Sequence, residues 1–348
     1  MKAAVWYGKH DVRVENTKEP AIQPGKVKVK VAWAGICGSD LHAYHGVGVQ
    51  VNGPHPVSGE LAPLTLGHEF AGVVAEIGEG VSRILVGDRV TIEPLIYCKE
   101  CKYCKNNLYN QCEKFGFIGL HANGGFAEYV MVEPSMVHIL PEGMSLEEGA
   151  LVEPSAVALH AVRESKLKVG EKVAVFGVGP IGLLTIMAAQ AAGATQIYAV
   201  DVAPERLLKA KECGATHFIN ATDGNPVEAI LSLSNGGVDV AYEAAGAEMT
   251  LANSISVIKK SGVVMIISII PTPVKVDILQ LTLKEATLTS VLAYRNIFPE
   301  VIHLIASGKL NVKEVITKKI ELEQIVKDGF KLLGTDKSQS KILVKIQA

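Results

Sequence analysis

The sequence predicts an α/β protein in which a doubly wound parallel sheet is joined to a second, mostly antiparallel β domain. Three observations carry this prediction. The chain has 348 residues, which is enough for two domains with separate cores. Its pattern changes near Ser155, where short β-like runs give way to strands that alternate with helices. A strand, a glycine-rich turn and a helix follow one another from Val173.

The N-terminal part, residues 1–154, consists of short β-like runs that are broken by glycine and proline. The clearest runs cover residues 27–33, 70–77 and 88–92. We therefore expect a mostly antiparallel sheet over residues 1–154, partly closed into a barrel.

Residues 155–294 predict the parallel sheet. Six strand-like runs begin at Val173, Ile197, His217, Val238, Val263 and Thr287. Helix-like segments lie between them, notably residues 205–212, 226–233 and 249–260. This alternation is typical of a doubly wound sheet. The remaining residues, 295–348, contain a helix-like segment and then a strand-like run at 341–346, and we expect them to return to the first domain.

Charge and hydropathy exclude some classes of function. The formal net charge of −2 gives no electrostatic reason to expect a nucleic-acid partner. The first fifteen residues lack the apolar middle of a signal peptide, so we expect a cytoplasmic protein. The stretch between Lys172 and Asp201 carries no charge and is long enough for a membrane span. Its glycines and Pro180 divide it into three shorter elements, so we expect a buried core and no membrane association.

The glycine-rich turn indicates a dinucleotide site. Gly177, Gly179 and Gly182 form a G-x-G-x-x-G pattern after a strand, and Pro180 and Ile181 stand where a helix begins. In such a unit the first glycine permits the turn, the second lets the backbone approach a pyrophosphate, and the third lets the helix pack on the strand. The helix N-terminus then faces the phosphates. Glycine turns also occur for structural reasons, but the surrounding strand and helix patterns favour a Rossmann domain.

Asp201 determines which dinucleotide we predict. It ends the second strand, nineteen positions after Gly182. A carboxylate at this point accepts hydrogen bonds from the ribose hydroxyls and repels a 2′-phosphate, which favours NAD(H) over NADP(H). Arg206 lies close enough in sequence to complicate this preference, and it is included among the predicted cofactor-binding residues.

Four of the six cysteines crowd into fifteen positions. They are Cys98, Cys101, Cys104 and Cys112. In a chain without a secretion signal, this clustering argues for a metal rather than for disulfides. Four thiolates on a tight loop form a closed tetrahedral site, which predicts a structural zinc. An iron–sulfur cluster is the main alternative and unliganded thiols are a third, but Glu113 stands where a bacterial ferredoxin run usually has proline.

Three dispersed residues form a second candidate metal set, namely Cys37, His68 and Glu153. One thiolate, one imidazole and one carboxylate can hold zinc with its fourth position open, as catalysis requires. Taken singly, these residues say little, because an isolated cysteine is more often a packing residue and a lone histidine more often a hydrogen-bonded structural one. Their spacing alone does not decide between these alternatives.

Four motifs, in this order, resemble those of the zinc-dependent medium-chain alcohol/polyol dehydrogenases. They are Gly-Ile-Cys-Gly-Ser-Asp at residues 35–40, Gly-His-Glu at residues 67–69, the four-cysteine loop and the glycine-rich turn. The resemblance covers essentially the whole chain. It implies a GroES-like catalytic domain, a Rossmann domain that binds NAD, and one catalytic and one structural zinc per chain.

Further segments resemble the branch of this family that acts on 2,3-butanediol. These segments are residues 54–60, 66–70, 124–129, 151–154 and 292–295. The resemblance implies interconversion of a vicinal diol and a hydroxyketone, with (R,R)-2,3-butanediol and acetoin as the expected pair. Enzymes for sorbitol, threonine or glycerol are the alternative. Sorbitol dehydrogenases typically carry Arg-Tyr where this chain has Ala293-Tyr294, which disfavours a long-chain polyol.

Carried over residue by residue, the resemblance makes Cys37, His68 and Glu153 the ligands of the catalytic zinc. In related enzymes the glutamate after the histidine either binds the metal or lies just behind it. Glu69 is therefore kept both as a ligand and as a catalytic candidate.

The resemblance also assigns a proton relay to Ser39 and His42, two and five positions after the cysteine ligand. The same residues could instead cap a helix that starts near Asp40. The family implies a homodimer or homotetramer, which we expect to form through residues 279–292. A non-catalytic NAD-binding or zinc-stabilised structural protein is the alternative from a different class. The retained zinc ligands and relay residues argue against it.

Overall fold

The computed structural model describes residues 1–49 and 52–347, and these divide into two compact units. The first unit comprises the described part of Met1–Glu153, Phe298–Ala306 and Ile316–Ala348. The second comprises Pro154–Ile297 and Ser307–Val315. The second unit therefore includes a short piece of the tail that we expected to return wholly to the first. Buried apolar side chains in this piece, such as Val312, pack within the second unit.

The strands and helices are as follows in chain order. The strands are β1 (Lys2–Gly8), β2 (Asp11–Asn16), β3 (Val27–Gly35), β4 (Leu64–Thr65), β5 (Glu69–Ile77), β6 (Arg89–Ile92), β7 (Leu95–Ile96), β8 (Gly116–Phe117), β9 (Tyr129–Val132), β10 (Val137–Ile139), β11 (Lys172–Phe176), β12 (Gln196–Asp201), β13 (His217–Asn220), β14 (Val238–Glu243), β15 (Ile258–Ile266), β16 (Thr287–Ser290), β17 (Ile316–Glu321) and β18 (Lys341–Lys345). The α-helices are α1 (Gly38–Tyr44), α2 (Lys102–Lys105), α3 (Leu146–Ala150), α4 (Val152–Glu164), α5 (Pro180–Ala191), α6 (Pro204–Glu212), α7 (Pro226–Ser234), α8 (Glu248–Val257), α9 (Ile278–Lys284), α10 (Phe298–Ala306) and α11 (Leu332–Thr335). A π-helix covers Ile325–Lys331, and short 3₁₀ turns cover Tyr109–Gln111, Pro134–Met136, Val312–Val315 and Leu322–Gln324.

Strand β3 is central to the larger sheet of the first unit, whose order is β10-β6-β5-β3-β18-β17 with β9 also paired to β3. Every pair in it is antiparallel except β17 with β18. Val27, Val29 and Val31 are fully buried, because alternate side chains of a strand share one face. This architecture confirms the predicted mostly antiparallel β domain.

Strand β18 carries the tail back to the first unit. It pairs antiparallel with the end of β3, so that Leu343 lies opposite Gly35. The side chain of Lys341, the first residue of β18, donates to the carbonyl of Ile36 at 3.0 Å. The tail therefore places Lys341 beside the start of the Gly-Ile-Cys-Gly-Ser-Asp motif.

The second unit contains a six-stranded parallel sheet in the order β13-β12-β11-β14-β15-β16. This order confirms the predicted doubly wound sheet, because it is the arrangement of dinucleotide-binding domains. The strand order reverses between β11 and β14, and ligands of such sheets bind outside the carboxyl ends of the strands at that point. The glycine-rich turn follows β11, and Asp201 ends β12.

One predicted helix is wrong at its C-terminal end. We expected a helix over residues 249–260, but α8 ends at Val257 and β15 begins at Ile258. No glycine or proline separates the helical pattern from the strand. The change occurs because Ile258 pairs with Val238 of β14 and its side chain is buried, so sheet pairing determines where the helix stops.

The uncharged stretch before Asp201 forms β11, α5 and β12. Among the described residues, no helix has the length and apolar character needed to cross a membrane.

Candidate functional site

The first part of the site is a thiol at the N-terminus of helix α1. Cys37 is the N-cap residue of this helix, and its backbone N–H donates to Asp40 Oδ2 at 2.9 Å. The Asp40 carboxylate thus closes a capping box, which explains why the helix begins here.

His68 and Glu69 lie at the start of β5, where two glycines make room for them. Gly67 has a φ of +96°, and a Cβ added to it would lie 2.8 Å from the ring of Phe126. The register of β3 and β5 sets Gly35 opposite Glu69. A Cβ on Gly35 would lie 2.2 Å from Glu69 Oε2. Gly35 therefore leaves room for the buried Glu69 carboxylate, and Gly67 allows the close approach of Phe126 beside His68.

Cys37, His68 and Glu69 each offer one ligand atom, and these atoms lie within 4.8 Å of one another. Sulfur, imidazole nitrogen and carboxylate oxygen are the donors that zinc prefers in proteins. Asp40 Oδ1 lies 3.6 Å from His68 Nδ1, and both atoms are buried without a hydrogen-bond partner. A carboxylate facing one ring nitrogen orients an imidazole whose other nitrogen binds a metal. The geometry therefore fits the zinc that the motifs imply.

The charges of this cluster also suit a divalent cation. Burial lowers the pKa of His68, but the negative charges of Asp40 and Cys37 outweigh it and raise that pKa well above its ordinary value of 6.5. Burial raises the pKa of the Asp40 carboxyl. Acidic groups thus lie around a buried imidazole, and a cation among them would favour their anionic forms.

Sequence reasoning missed Lys341, which lies against this cluster. Its Nζ donates to both carboxylate oxygens of Glu69 at 2.7 Å and to the carbonyl of Ile36. Lys341 is 1% exposed and Glu69 is 0% exposed. No local signal marks Lys341, because it lies 272 positions after Glu69 in the sequence. The orienting role of Asp40 was also missed, although its position three residues after Cys37 has the spacing of a capping box.

Glu153 is buried in the first turn of α4. Burial lowers the pKa values of His68 and Lys341, whereas nearby negative charges raise them. The charge of Glu153 is one of these, which is consistent with a carboxylate near the cluster. The group of ligand atoms within 4.8 Å nevertheless contains Glu69 and not Glu153. The assignment of Glu153 as a ligand stays a prediction.

Ser39 faces the candidate metal position. Its Oγ lies 3.0 Å from His68 Nε2, whereas Cys37 is the residue that caps α1. His42 is exposed in the last turn of the same helix, three positions after Ser39 and hence on the same face. The arrangement suits proton transfer from Ser39 toward solvent, and the relay stays a prediction.

The four clustered cysteines form a separate lobe of the first unit. Cys98 Sγ lies 3.5 Å from Cys112 Sγ and 4.0 Å from Cys104 Sγ. One sulfur from each of the four residues, including Cys101, lies within 4.8 Å of the others. A tetrahedral zinc with Zn–S bonds of about 2.3 Å separates its sulfurs by about 3.8 Å. The sulfur positions therefore fit a structural zinc.

Backbone N–H groups stabilise the thiolates of this lobe. Cys101 N–H donates to Cys98 Sγ at 3.4 Å, and Cys104 N–H donates to Cys101 Sγ at 3.5 Å. The bond from Cys104 N–H is the main reason that the pKa of Cys101 falls to about 6. Burial instead raises the pKa of Cys104 to about 12. A bound cation would hold all four sulfurs as thiolates.

The turn after β11 shows why its glycines are needed. Gly177 has a φ of +88°, and a Cβ on it would lie 2.7 Å from an alanine Cβ in the loop after β14. A Cβ on Gly182 would lie 2.0 Å from the carbonyl oxygen of Gly177. At Gly179, the N-cap of α5, an added Cβ would meet no atom within 4 Å. Pro180 and Ile181 open α5, and the free space at Gly179 is where a pyrophosphate would approach the backbone.

Asp201 is nearly buried at the end of β12, and backbone groups already bind its carboxylate. Oδ2 accepts from Val178 N–H at 2.9 Å, and Oδ1 accepts from the N–H groups of Val202 at 2.8 Å and Ala203 at 3.0 Å. Arg206 Nη1 lies 3.9 Å from Oδ2. Asp201 therefore also fixes the glycine-rich turn, in addition to any contact with a ribose.

Comparison with known proteins identifies both halves of the chain. The family model described as the alcohol dehydrogenase GroES-like domain matches residues 23–142, and the model described as zinc-binding dehydrogenase matches residues 180–307. The chain is 47% identical over 348 residues to the (R,R)-butanediol dehydrogenase of Bacillus subtilis (strain 168), with 99% of each chain covered.

Two solved structures are similar to the whole chain. The crystal structure of 2R,3R-butanediol dehydrogenase from Bacillus subtilis matches with a TM-score of 0.95 and 46% identity, over 99% of each chain. A structure from Sinorhizobium meliloti 1021, bound to NADP, matches with a TM-score of 0.93 and 33% identity, over 99% of this chain and 98% of that one. These similarities confirm the resemblance inferred from the motifs, and this chain belongs to the zinc-dependent medium-chain dehydrogenases, with a GroES-like domain and a Rossmann domain.

Proposed function

We propose that this enzyme interconverts (R,R)-2,3-butanediol and acetoin, with NAD(H) as the hydride carrier. The observation that carries the proposal is the near full-length similarity to the Bacillus subtilis enzyme named for this diol. The cluster of Cys37, His68 and Glu69 supports it, because alcohol oxidation in this family uses a metal with an open coordination position.

Cys37, His68 and Glu153 are the proposed ligands of the catalytic zinc, and the four clustered cysteines are those of the structural zinc. The bound catalytic zinc supplies Lewis acidity that lowers the pKa of an alcohol, and the bound NAD accepts a hydride. Glu69 is proposed to lie next to the metal ligands without coordinating the zinc, because both of its oxygens accept hydrogen bonds from Lys341. Cys37 and Glu153 each contribute one negative charge, and further anionic ligands would weaken the Lewis acidity.

Ser39 is the proposed acceptor of the alcohol proton, and His42 the group that passes it to solvent. The position of Ser39 Oγ beside His68 Nε2 supports the first role, and the exposure of His42 supports the second. Replacing Ser39 with alanine should lower kcat while leaving the zinc content intact. Unchanged turnover would remove Ser39 from the mechanism.

NAD(H) is the proposed cofactor in preference to NADP(H). The buried carboxylate of Asp201 would repel a 2′-phosphate, and Arg206, 3.9 Å away, already has this carboxylate as an ionic partner. Comparing kcat/KM for NAD and NADP tests the preference. Equal efficiency with both would contradict the role given to Asp201.

A substrate panel tests the activity. We expect oxidation of the (R,R) isomer to exceed that of meso- and (S,S)-butanediol, sorbitol, threonine and glycerol, and acetoin to be reduced with NADH. Sorbitol as the best substrate would favour the alternative polyol dehydrogenase. Metal analysis should find two zinc ions per chain, and a single zinc with no turnover would support a structural protein.

The enzyme is proposed to act in the cytoplasm as a homodimer or homotetramer. Strand β16 is an edge of the parallel sheet, and the nearby side chains of Leu279, Leu283 and Leu292 are 67%, 68% and 53% exposed. Exposed apolar side chains beside an unpaired strand edge favour association. Light scattering on the purified protein measures the oligomeric state.

A further inference from the structure

Phe117 provides an aromatic surface beside the proposed metal ligands. Its ring lies against that of His68, with centroids 5.7 Å apart and planes inclined by 62°. Phe117 is only partly buried, and its ring also contacts that of Phe115, with centroids 5.2 Å apart. Given the proposed function, an alcohol held next to His68 would meet this apolar ring.

Phe117 pairs with Leu95 of β7 and also has contacts within the short segment 115–121. Phe117 N–H donates to His121 Nδ1 at 3.1 Å, and His121 N–H donates back to the Phe117 carbonyl at 2.8 Å. A Cβ on Gly119 would lie 2.5 Å from the carbonyl oxygen of Gly67, so this segment packs directly on the residue before His68. The segment is therefore held against the candidate metal site at close range.

A second segment, residues 54–60, closes on itself around His55. The His55 N–H donates to the Glu60 carbonyl at 2.8 Å, and His55 Nδ1 accepts from Val57 N–H at 3.4 Å and Ser58 N–H at 3.3 Å. Because Nδ1 accepts, the proton of the neutral imidazole lies on Nε2. Nε2 therefore donates to the carbonyl of Phe115, 3.3 Å away.

Further contacts join these two segments. The rings of His55 and His121 are 5.1 Å apart, and Gly116 fits beside both: a Cβ on it would lie 2.8 Å from His55 Nε2 and 3.1 Å from His121 Cβ. Ser58 Oγ donates to the His121 carbonyl at 2.5 Å. His55 itself is 4% exposed. The imidazole is thus enclosed between the loop that it closes and the segment that carries Phe117.

We propose that His55 is a positioning residue that holds Phe117 against His68 and thereby gives the enzyme its preference for short, methyl-bearing diols over longer polyols. A fixed aromatic wall accepts the methyl group of a small diol. The same wall leaves the extra hydroxyls of a polyol buried without partners, which is unfavourable. A Phe117 ring that can move would discriminate less between small diols and longer polyols.

The test compares His55→Asn with His55→Gln. An asparagine oxygen occupies roughly the place of Nδ1, so it keeps the loop closed but cannot reach Phe115. A glutamine amide reaches roughly the place of Nε2 and keeps the bond to Phe115. The ratio of kcat/KM for (R,R)-2,3-butanediol to that for sorbitol should fall about tenfold in His55→Asn, the size of one lost hydrogen bond, and much less in His55→Gln. Equal ratios in wild type and both variants would overturn the proposal.

A double-mutant cycle separates positioning from general damage. If His55 acts through Phe117, His55→Asn should have no further effect on the ratio in a Phe117→Leu background. Fully additive effects would contradict that route. His217→Ala is the matched control, because it removes a partly buried histidine of the second unit, whose Nδ1 lies 2.8 Å from Thr216 Oγ1. It should lower stability and leave the ratio unchanged.

Hydrogen exchange tests positioning without any substrate. His55→Asn should speed exchange of the backbone amides of Phe117 and His121 relative to wild type, and unchanged exchange would overturn the positioning role. If the wild type failed to oxidise butanediol, the proposed function would be wrong. Faster exchange at Phe117 would in that case still support positioning, so the two failures are distinguishable.

Discussion

Replacing Lys341 with methionine should strongly destabilise the first unit. Methionine keeps much of the apolar stem but removes the ammonium group that donates to both oxygens of Glu69. Glu69 is fully buried, so its carboxylate would lose the only ammonium group that both of its oxygens are seen to bind among the described residues. Removing one partner of a buried ion pair costs about 3 to 5 kcal/mol, a large share of the roughly 5 to 15 kcal/mol that stabilises a folded domain.

Urea unfolding followed by tryptophan fluorescence measures this loss. Both tryptophans, Trp6 and Trp33, lie in the first unit, so their emission reports on the part of the chain that holds the ion pair. The double variant Lys341→Met with Glu69→Gln should regain much of the lost stability, because it removes both charges. A single variant within about 1 kcal/mol of wild type, or a double variant no more stable than the single one, would refute the reasoning.

The pH dependence of this effect follows from the pKa of Lys341. Burial lowers that pKa, but attraction to Glu69 and Cys37 outweighs burial and raises it above its ordinary value of 10.5. A raised pKa of a cationic group contributes stability that is fully present below the unfolded value and is lost as the pH rises through the folded value. The unfolding curves of wild type and variant should therefore converge only in strongly alkaline solution.

Further predictions concern the metal and dinucleotide sites. Asp40→Asn should weaken zinc binding at the catalytic cluster about 10- to 100-fold, because the imidazole ligand loses its orienting carboxylate. Competition with a chromophoric chelator measures this, and unchanged affinity would leave Asp40 only its capping-box bond to Cys37. Cys101→Ser should leave one zinc per chain by mass spectrometry, and two retained ions would contradict the four-thiolate site. Gly182→Ala should disrupt the turn, because its Cβ would lie 2.0 Å from a backbone carbonyl. Gly179→Ala should fold normally and lose NADH affinity, and identical circular dichroism and NADH titrations for the two variants would disprove this distinction.

Patterns that are local in the chain were predictable. The four clustered cysteines lie within fifteen positions, so the loop that joins them already limits where their sulfurs can be. The parallel sheet was also predictable, because strand-like runs alternate with helix-like segments along this part of the chain. The glycine-rich turn was predictable as a local motif, since a Cβ on Gly182 would meet the carbonyl of Gly177, whereas Gly179 leaves space for a pyrophosphate.

Features that depend on distant pairing were not predictable from pattern. Nothing near Lys341 marks it as the partner of Glu69, because strand pairing alone brings the two together. The end of α8 was misplaced for the same reason, since pairing with β14 starts the strand at Ile258. The relation between His55 and Phe117 likewise depends on two loops meeting in space.

The pairing of β18 with β3 also affects the order in which the molecule can assemble during translation. A nascent chain usually folds its N-terminal domain first. Here the ribosome must synthesise the entire Rossmann domain before β18 exists. Until then, the end of β3 lacks its pairing with β18, and the carboxylate of Glu69 lacks its ion pair with Lys341. Completion of the catalytic domain, with the charge balance around its zinc, is thus a late event in biogenesis.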